Sequence, residues 1–157
     1  MTEKNSDSEV NLLYYYYSGI VFIAFDNFSA AKKCFEMTLA VKCPDGVSAI
    51  AIESLKKFII ISLITEGHFS LKLHLCSFVP NYIRLAKDIS EGSPIVLENF
   101  EKQNRGLIKR AMKSRLIHNA VNEIKYFERI SFSDVEKRLQ MPFATFLQIL
   151  PSIVILI

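Results

Sequence analysis

The sequence has few of the residues that mark disordered, disulfide-linked or low-complexity proteins. It contains five glycines and five prolines in 157 residues, and half of its residues are hydrophobic, a composition that favours a folded chain with a real core. Its cysteines are odd in number and form no C-x-x-C pair: Cys34, Cys43 and Cys76. This pattern argues against a disulfide framework or a zinc ribbon and favours a reducing, intracellular compartment.

Residues that would form a catalytic or metal site are also missing. The histidines His68, His74 and His118 occur in no H-E-x-x-H or similar spacing, which a zinc hydrolase needs to hold its metal and activate a water. Cys34 lies on a predicted amphipathic helix, where an inert, partly buried thiol is expected. The sequence has no glycine-rich phosphate loop. We therefore predict a protein that is not an enzyme and has no metal, no cofactor and no small-molecule substrate.

Long apolar runs and strong net charge are absent as well. The stretches Phe58–Ile64 and Phe143–Ile157 are shorter than the roughly 18 apolar residues that a membrane span needs, so no membrane association is predicted. The net charge of +3 is too small to require a polyanionic partner. Residues 1–10 are polar and unlike a signal peptide, and we predict a disordered leader there. Residues 151–157 form an uncharged apolar tail whose structure the sequence does not define.

One aromatic segment carries a tetratricopeptide-like signature. Gly19 stands at the small-residue position of a first helix, Ala31 matches it on a second helix, and Pro44 follows the pair. A glycine inside a helix costs about 1 kcal/mol relative to alanine and is tolerated where a neighbouring helix approaches the backbone. The predicted helix-packing residues are Tyr15, Gly19, Phe22, Ala31 and Phe35. We predict tetratricopeptide-like helical repeats over residues 11–104.

Periodicity and capping residues predict the individual helices. The first pair covers 11–25 and 28–41 with a turn at Asp26-Asn27, and a third helix covers 47–66 and ends at Gly67. An ion pair between Glu53 and Lys57 is expected at i,i+4 spacing. Helical structure then covers 69–89 with an interruption near Pro80. Ser93-Pro94 is expected to begin a short helix to residue 103, and one long helix or two in tandem should cover 106–129.

Beyond residue 129 the pattern changes to that of a winged helix. Ile130-Ser131-Phe132 forms a minimal alternating strand, and Ser133 with Glu136 forms a capping box that opens the next helix. A third helix follows with Phe143 and Phe146 on its apolar face. No wing strands follow it. We therefore predict an incomplete winged-helix module over residues 105–150.

A cluster of basic residues precedes this module. Residues 102–129 hold eight Lys and Arg against two Glu, and the predicted basic surface comprises Lys109, Arg110, Lys113 and Arg115. One interpretation is nucleic-acid binding, because clustered cations neutralise phosphates. The other is a solvated face or a surface for acidic partner proteins. We favour the second, because a base-reading helix needs polar side chains and residues 143–150 offer only Thr145 and Gln148.

Six segments, taken in order, resemble the third-subunit family of the COP9 signalosome, whose members are PCI-domain proteins. These segments are YYYYSG at 14–19, NF..A at 27–31, VSAI at 47–50, ESLKKFIIISLI at 53–64, GLIK at 106–109 and ISFSDVEKRLQM at 130–141. The resemblance implies a right-handed superhelix of tetratricopeptide-like repeats that runs into a PCI winged-helix module. Relative to that family, the chain is expected to be truncated at both ends.

The resemblance also implies a function. It predicts a non-catalytic scaffold that supports cullin deneddylation by another subunit, a zinc metalloprotease, in the cytoplasm and nucleus. The implied partners are other PCI-domain subunits, and the candidate subunit interface comprises Ile130, Ser131, Phe132, Phe143 and Phe146. Nucleic acid is disfavoured as a partner. Two alternatives stay open: a subunit of the proteasome lid, and a PCI protein of a translation-initiation or messenger-export complex with RNA contact.

Overall fold

The computed structural model describes residues 3–41, 46–70 and 74–125, together with positions 137, 142, 144, 145, 147, 148 and 151. Within the three long ranges the chain forms five α-helices and two short 3-10 helices, His74–Phe78 and Leu97–Asn99, and no strand occurs there. The predicted mainly α-helical fold class is confirmed. The helices are α1 Glu3–Ala24, α2 Phe28–Ala40, α3 Ala49–Glu66, α4 Pro80–Glu91 and α5 Lys102–Lys125.

The first two helices form an antiparallel hairpin joined by the three residues 25–27. Asp26 adopts a positive φ of 57°, and the side chain of Asn27 accepts a hydrogen bond from the Ala30 amide at 3.1 Å. This cap satisfies one of the amides that a helix start leaves without a partner. The turn therefore lies at the predicted position and fixes the start of α2.

Helix α3 lies at the centre of the fold and packs against α1, α2, α4 and α5. Ten of its residues are buried, from Ala51 to Leu63. It is apolar on nearly all sides, as expected for a helix surrounded by others. Ser48 caps its start through a hydrogen bond from the Ile50 amide, and Gly67 ends it with a left-handed φ of 75°. The predicted end of α3 at Gly67 agrees with this geometry.

Three predicted segments differ from the structure. The leader, expected to be disordered over 1–10, is helical from Glu3. Pro80 does not kink a helix that began at Phe69; it lies in the first turn of α4, where its missing amide costs nothing. Residues 93–96 form no helix, so Ser93-Pro94 does not cap one.

Helix α5 runs through the predicted domain boundary between residues 104 and 105. It packs on α3 and α4, so its described part belongs to the same body as the preceding helices. The strand predicted at 130–132 and the capping box at 133–136 lie outside the described residues. None of the helices in the described ranges has the length and apolar character needed to cross a membrane.

Candidate interaction surfaces

Gly19 is a point of close approach between α1 and α2. It is buried, and a Cβ atom built on it would lie 2.7 Å from Cζ and 2.8 Å from Cε1 of Phe35. Phe35 has no solvent exposure and also meets Tyr16 edge-to-face, with ring centroids 6.1 Å apart. Because the space above Gly19 is filled by a buried ring, this position has no room for a larger residue.

The other predicted helix-packing residues occupy different environments. Ala31 is fully buried in the core, and Phe22 is partly buried against it. Tyr15 is half-buried and meets Tyr14 edge-to-face at 5.3 Å. Tyr16, which the sequence analysis did not single out, is the tyrosine that packs on Phe35. Tyr16 lies three residues before Gly19, and residues at this spacing share one side of a helix. That spacing could have indicated that Tyr16 faces the second helix together with Gly19.

The structure separates the four residues of the predicted basic surface into two pairs. Arg110 forms an ion pair with Asp26, and its guanidinium carbon lies 5.5 Å from the centroid of the Phe28 ring. The guanidinium of Arg115 lies against Gly92, with Nη1 2.6 Å from where a Cβ of that residue would be. These two arginines connect α5 to the α1–α2 hairpin and to the end of α4.

Lys109 and Lys113 form the second pair and point away from the other helices. Both are exposed, as is Lys102, which precedes them on α5. Within the described residues none of these three lysines has an ion-pair partner. At 100° per residue, positions 102, 106, 109 and 113 fall on one side of the helix. We call Lys102, Gly106, Lys109 and Lys113 the lysine face.

Gly106 has no evident role within the described part of the chain. A Cβ built on it would meet nothing within 4 Å, although a glycine inside a helix costs about 1 kcal/mol relative to alanine. It lies between the exposed lysines, so the α5 backbone there is open to solvent and flanked by positive charge. The lysine face could therefore accept the close approach of an acidic segment.

The predicted subunit interface cannot be located on this surface. Its five residues lie outside the described part of the chain: Ile130, Ser131, Phe132, Phe143 and Phe146.

A polar cluster that sequence reasoning missed joins α3 and α4 to α5. Lys56 Nζ donates to Glu53 Oε1 at 2.6 Å and to Glu101 Oε1 at 2.7 Å. The predicted Glu53–Lys57 pair is therefore replaced by Glu53–Lys56. Buried Lys57 donates instead to the side-chain oxygen of Asn104. We define the polar cluster as Glu53, Lys56, Lys57, Tyr82, Glu101 and Asn104.

Asn104 is the centre of this cluster and has no solvent exposure. Its Nδ2 donates to the Tyr82 hydroxyl at 2.6 Å, and that hydroxyl donates to Glu101 Oε2. The hydrogen bonds of this cluster join residues up to 47 positions apart, while Glu53 Oε2 is buried without a hydrogen-bond partner in the described part of the chain. No local sequence pattern indicates such a cluster, because its pairs form only after the helices pack.

Burial and hydrogen bonding shift the pKa values of this cluster. Burial lowers the pKa of Lys57 below its ordinary value, despite the nearby carboxylates of Glu53 and Glu101. Burial, with the hydrogen bond to Glu101, raises the pKa of Tyr82. For Glu101, burial alone would raise the pKa, but hydrogen bonds from Lys56 and Tyr82 outweigh it and lower the pKa to about 2. The Glu101 carboxylate is therefore held in its charged form.

Two histidines of the described part lie beside backbone carbonyl groups. His118 Nε2 lies 3.3 Å from the Ile64 carbonyl, and His68 Nδ1 lies 3.1 Å from the Glu66 carbonyl. Burial raises the pKa of the Cys34 thiol, which lowers its fraction of reactive thiolate. Among the residues described, no group of three His, Cys, Asp or Glu side chains could hold a metal ion.

Comparison with known proteins shows a match to one protein family, and the relatives described below carry the name of that family. The sequence model described as COP9 signalosome complex subunit 3, N-terminal helical repeats, matches residues 1–81, about half of the chain. A protein named COP9 signalosome complex subunit 3 from Dictyostelium discoideum is 28% identical over 149 residues, which covers 83% of this chain and 35% of the relative. A protein of the same name from Drosophila melanogaster is 27% identical over 156 residues, which covers 88% of this chain and 35% of the relative. The chain spans about a third of the length of these curated relatives.

Proposed function

We propose, from the premise that this chain belongs to the COP9 signalosome subunit 3 helical-repeat family, that it is a non-catalytic scaffold component of that complex. In this proposal its partners are other PCI-domain subunits, and it supports cullin deneddylation carried out by a different subunit in the cytoplasm and nucleus. The family match favours the signalosome over the proteasome lid. The proposal gives the chain no bond-breaking step, since its role is to hold neighbours in place.

The lysine face is the observation that carries this proposal. Lys102, Lys109 and Lys113 are exposed, lie on one side of α5 and have no ion-pair partner among the described residues. Complementary charge at an interface speeds encounter and fixes register, and bare backbone at Gly106 allows a neighbouring helix to come close. We infer that this face docks on an acidic helix of a neighbouring subunit.

A charge reversal on the lysine face tests the proposal. We expect Lys109→Glu to lower recovery of the other signalosome subunits in a pull-down by about tenfold, because like charges across an interface cost several kcal/mol. Lys33→Glu is the matched control, since Lys33 is also an exposed helix lysine without an ion-pair partner in the described residues. It should leave recovery unchanged. Equal recovery with both variants would contradict docking through the lysine face.

RNA contact is the second candidate function, because the same three lysines could neutralise phosphates. It predicts binding of single-stranded RNA whose log affinity falls with log salt by about 0.7 for each phosphate contact. An RNA shift that disappears in Lys109→Glu and persists in Lys33→Glu would favour it over protein docking. We expect no such shift, because aromatic side chains for stacking bases are absent from the lysine face.

A further inference from the structure

The dipeptide Ser93-Pro94 has no capping role, and its hydroxyl is unused within the described fold. It lies in the segment Gly92–Val96 after α4, which we call the Ser93 loop, and residues 93–96 form no helix. The backbone amide of Ser93 donates to the Asp88 carbonyl at 2.9 Å. The Ser93 hydroxyl, in contrast, forms no hydrogen bond within the described residues. It is therefore available for reaction.

Ser93-Pro94 is also unique in the sequence. It is the only place in the 157 residues where a serine or a threonine directly precedes a proline. The other four prolines follow Cys43, Val79, Met141 and Leu150. A proline directly after the acceptor hydroxyl is the feature that proline-directed protein kinases recognise, and it favours an extended backbone in the residue before it. The chain offers such a kinase one acceptor.

The Ser93 loop lies at the surface. Gly92 and Pro94 are exposed, Ser93 is half-buried, and Val96 is 56% exposed. Pro94, Ile95 and Val96 line one side of an open groove of about 330 Å³, and residues of α4 line the other side. Loops of this kind carry function because a rigid scaffold presents them to solvent. A kinase can therefore approach the loop from the side of the groove.

A guanidinium without an acceptor lies beside the loop. Cζ of Arg115 lies 2.9 Å from where a Cβ of Gly92 would be, with Nη1 at 2.6 Å and Nη2 at 2.7 Å. Arg115 is half-buried, yet it has no ion pair and no hydrogen bond within the described residues. A guanidinium has five N–H donors and suits the oxygens of a phosphate.

The nearby cations of α4 are already paired. Arg84 Nε lies 3.7 Å from Asp88 Oδ2, and Lys87 Nζ lies 3.7 Å from Glu91 Oε1. Of these three basic side chains, Arg115 alone has no carboxylate partner among the described residues. It is therefore the cation that a new negative charge on the loop would meet without breaking an existing pair.

The distances allow a direct contact between a phosphate on Ser93 and Arg115. Consecutive Cα atoms are about 3.8 Å apart. Since the Arg115 Cζ lies so close to Gly92, it is at most about 8 Å from Cα of Ser93. The outer oxygens of a phosphoserine extend four covalent bonds beyond its Cα, and the Nη atoms extend one bond beyond Cζ toward them. The remaining gap is that of a hydrogen bond.

We propose that Ser93 is a phosphorylation site for a proline-directed protein kinase, and that its phosphate binds the Arg115 guanidinium and fastens the Ser93 loop to α5. In the reaction the Ser93 oxygen forms a bond to the γ-phosphorus of ATP, and the bond from that phosphorus to ADP breaks. The hydroxyl proton passes to the catalytic carboxylate of the kinase. This inference is independent of the proposed scaffold function, because Ser93 and Arg115 lie outside the lysine face.

Two opposing electrostatic effects act on such a phosphate. The end of α4 carries the negative pole of its helix dipole, so a negative charge on Ser93 is unfavourable by itself. Charge-assisted hydrogen bonds from Arg115 to the phosphate are stronger than this dipole effect. The phosphate should therefore stabilise the chain when Arg115 is present and destabilise it when Arg115 is replaced by a neutral residue.

Phosphorylation of the folded full chain by a purified cyclin-dependent kinase with ATP tests the site. We expect one phosphate per chain, located on Ser93 by peptide mass, and none in Ser93→Ala. In Pro94→Ala the initial rate should fall more than about tenfold, because the kinase loses the residue that it recognises while the acceptor stays in place. An unmodified Ser93 in the wild-type chain would overturn the proposal. So would modification that appears only after unfolding in urea.

Thermal unfolding tests the role of Arg115. The phosphorylated and unphosphorylated forms of each variant are compared with each other, so that any effect of the substitution alone cancels. Phosphorylation should raise the Tm of the wild-type chain by about 2–4 °C and lower that of Arg115→Gln by about 1–3 °C.

Arg84→Gln is the matched control for this comparison. Arg84 borders the same groove as Pro94 but pairs with Asp88, so phosphorylation should raise the Tm of Arg84→Gln as in the wild-type chain. An equal increase in Arg115→Gln would contradict the predicted contact. Loss of the increase in Arg84→Gln alone would also contradict it, since the phosphate would then bind Arg84.

Discussion

Two glycines within helices occupy opposite environments. Gly19 lies under the buried Phe35 ring, with no space for a Cβ atom, whereas Gly106 lies on an open side of α5. The sequence predicts close helix packing at Gly19, because the residue falls within an aromatic run at the small-residue position of a repeat. It could not predict the open environment of Gly106, since a glycine on an exposed helix side has no local pattern around it.

Replacement of each glycine by alanine should shift stability in opposite directions. Gly19→Ala should destabilise the chain by about 1–3 kcal/mol, because the new methyl group overlaps a ring that cannot move freely. Gly106→Ala should stabilise it by up to about 1 kcal/mol through helix propensity alone. Thermal unfolding followed by circular dichroism measures both. A lower midpoint for Gly106→Ala, or an unchanged one for Gly19→Ala, would show that the described packing is wrong.

At the scale of helices, local signals located some ends and missed others. The Asn27 cap and Gly67 fixed the start of α2 and the end of α3, because both act through hydrogen bonds to residues close in sequence. The start of α1 was missed, since a polar, acidic segment resembles a disordered leader. The polar cluster was missed because Lys57 and Asn104 are 47 positions apart and meet only when α3 and α5 pack.

The Lys57–Asn104 hydrogen bond should stabilise the contact between α3 and α5. Asn104→Ala is expected to destabilise the chain by about 3–5 kcal/mol, because it leaves the buried Lys57 ammonium without its acceptor. Lys57→Met removes that buried charge. The double variant Lys57→Met/Asn104→Ala should therefore be more stable than Asn104→Ala alone. Urea unfolding of the two single variants and the double variant measures this coupling.

The double variant gives the decisive comparison for the polar cluster. If Lys57→Met lowers the stability of Asn104→Ala further, the two residues act independently and the ammonium is not buried against Asn104. If it raises the stability, the hydrogen bond serves to compensate a buried charge.

For the whole molecule, the order of six short segments predicted the family, and the match over residues 1–81 confirmed it. The helical fold class was also predicted, because apolar periodicity near 3.6 residues recurs along most of the chain. The exposed surfaces were not predicted in the same detail. The sequence grouped four basic residues on one surface. Packing directs Arg110 and Arg115 to intramolecular contacts and leaves Lys109 and Lys113 without an ion-pair partner among the described residues, since side-chain partners depend on which helices become neighbours.

Lysine footprinting tests most directly whether this chain docks on other subunits through the lysine face. Acetylation rates would be measured by mass spectrometry for the chain alone and after reconstitution with the remaining signalosome subunits. We predict that Lys109 and Lys113 become protected in the assembly, while Lys33 on α2 reacts at the same rate in both states. Equal reactivity of Lys109 and Lys113 with and without the other subunits, in an assembly that contains the chain, would contradict it.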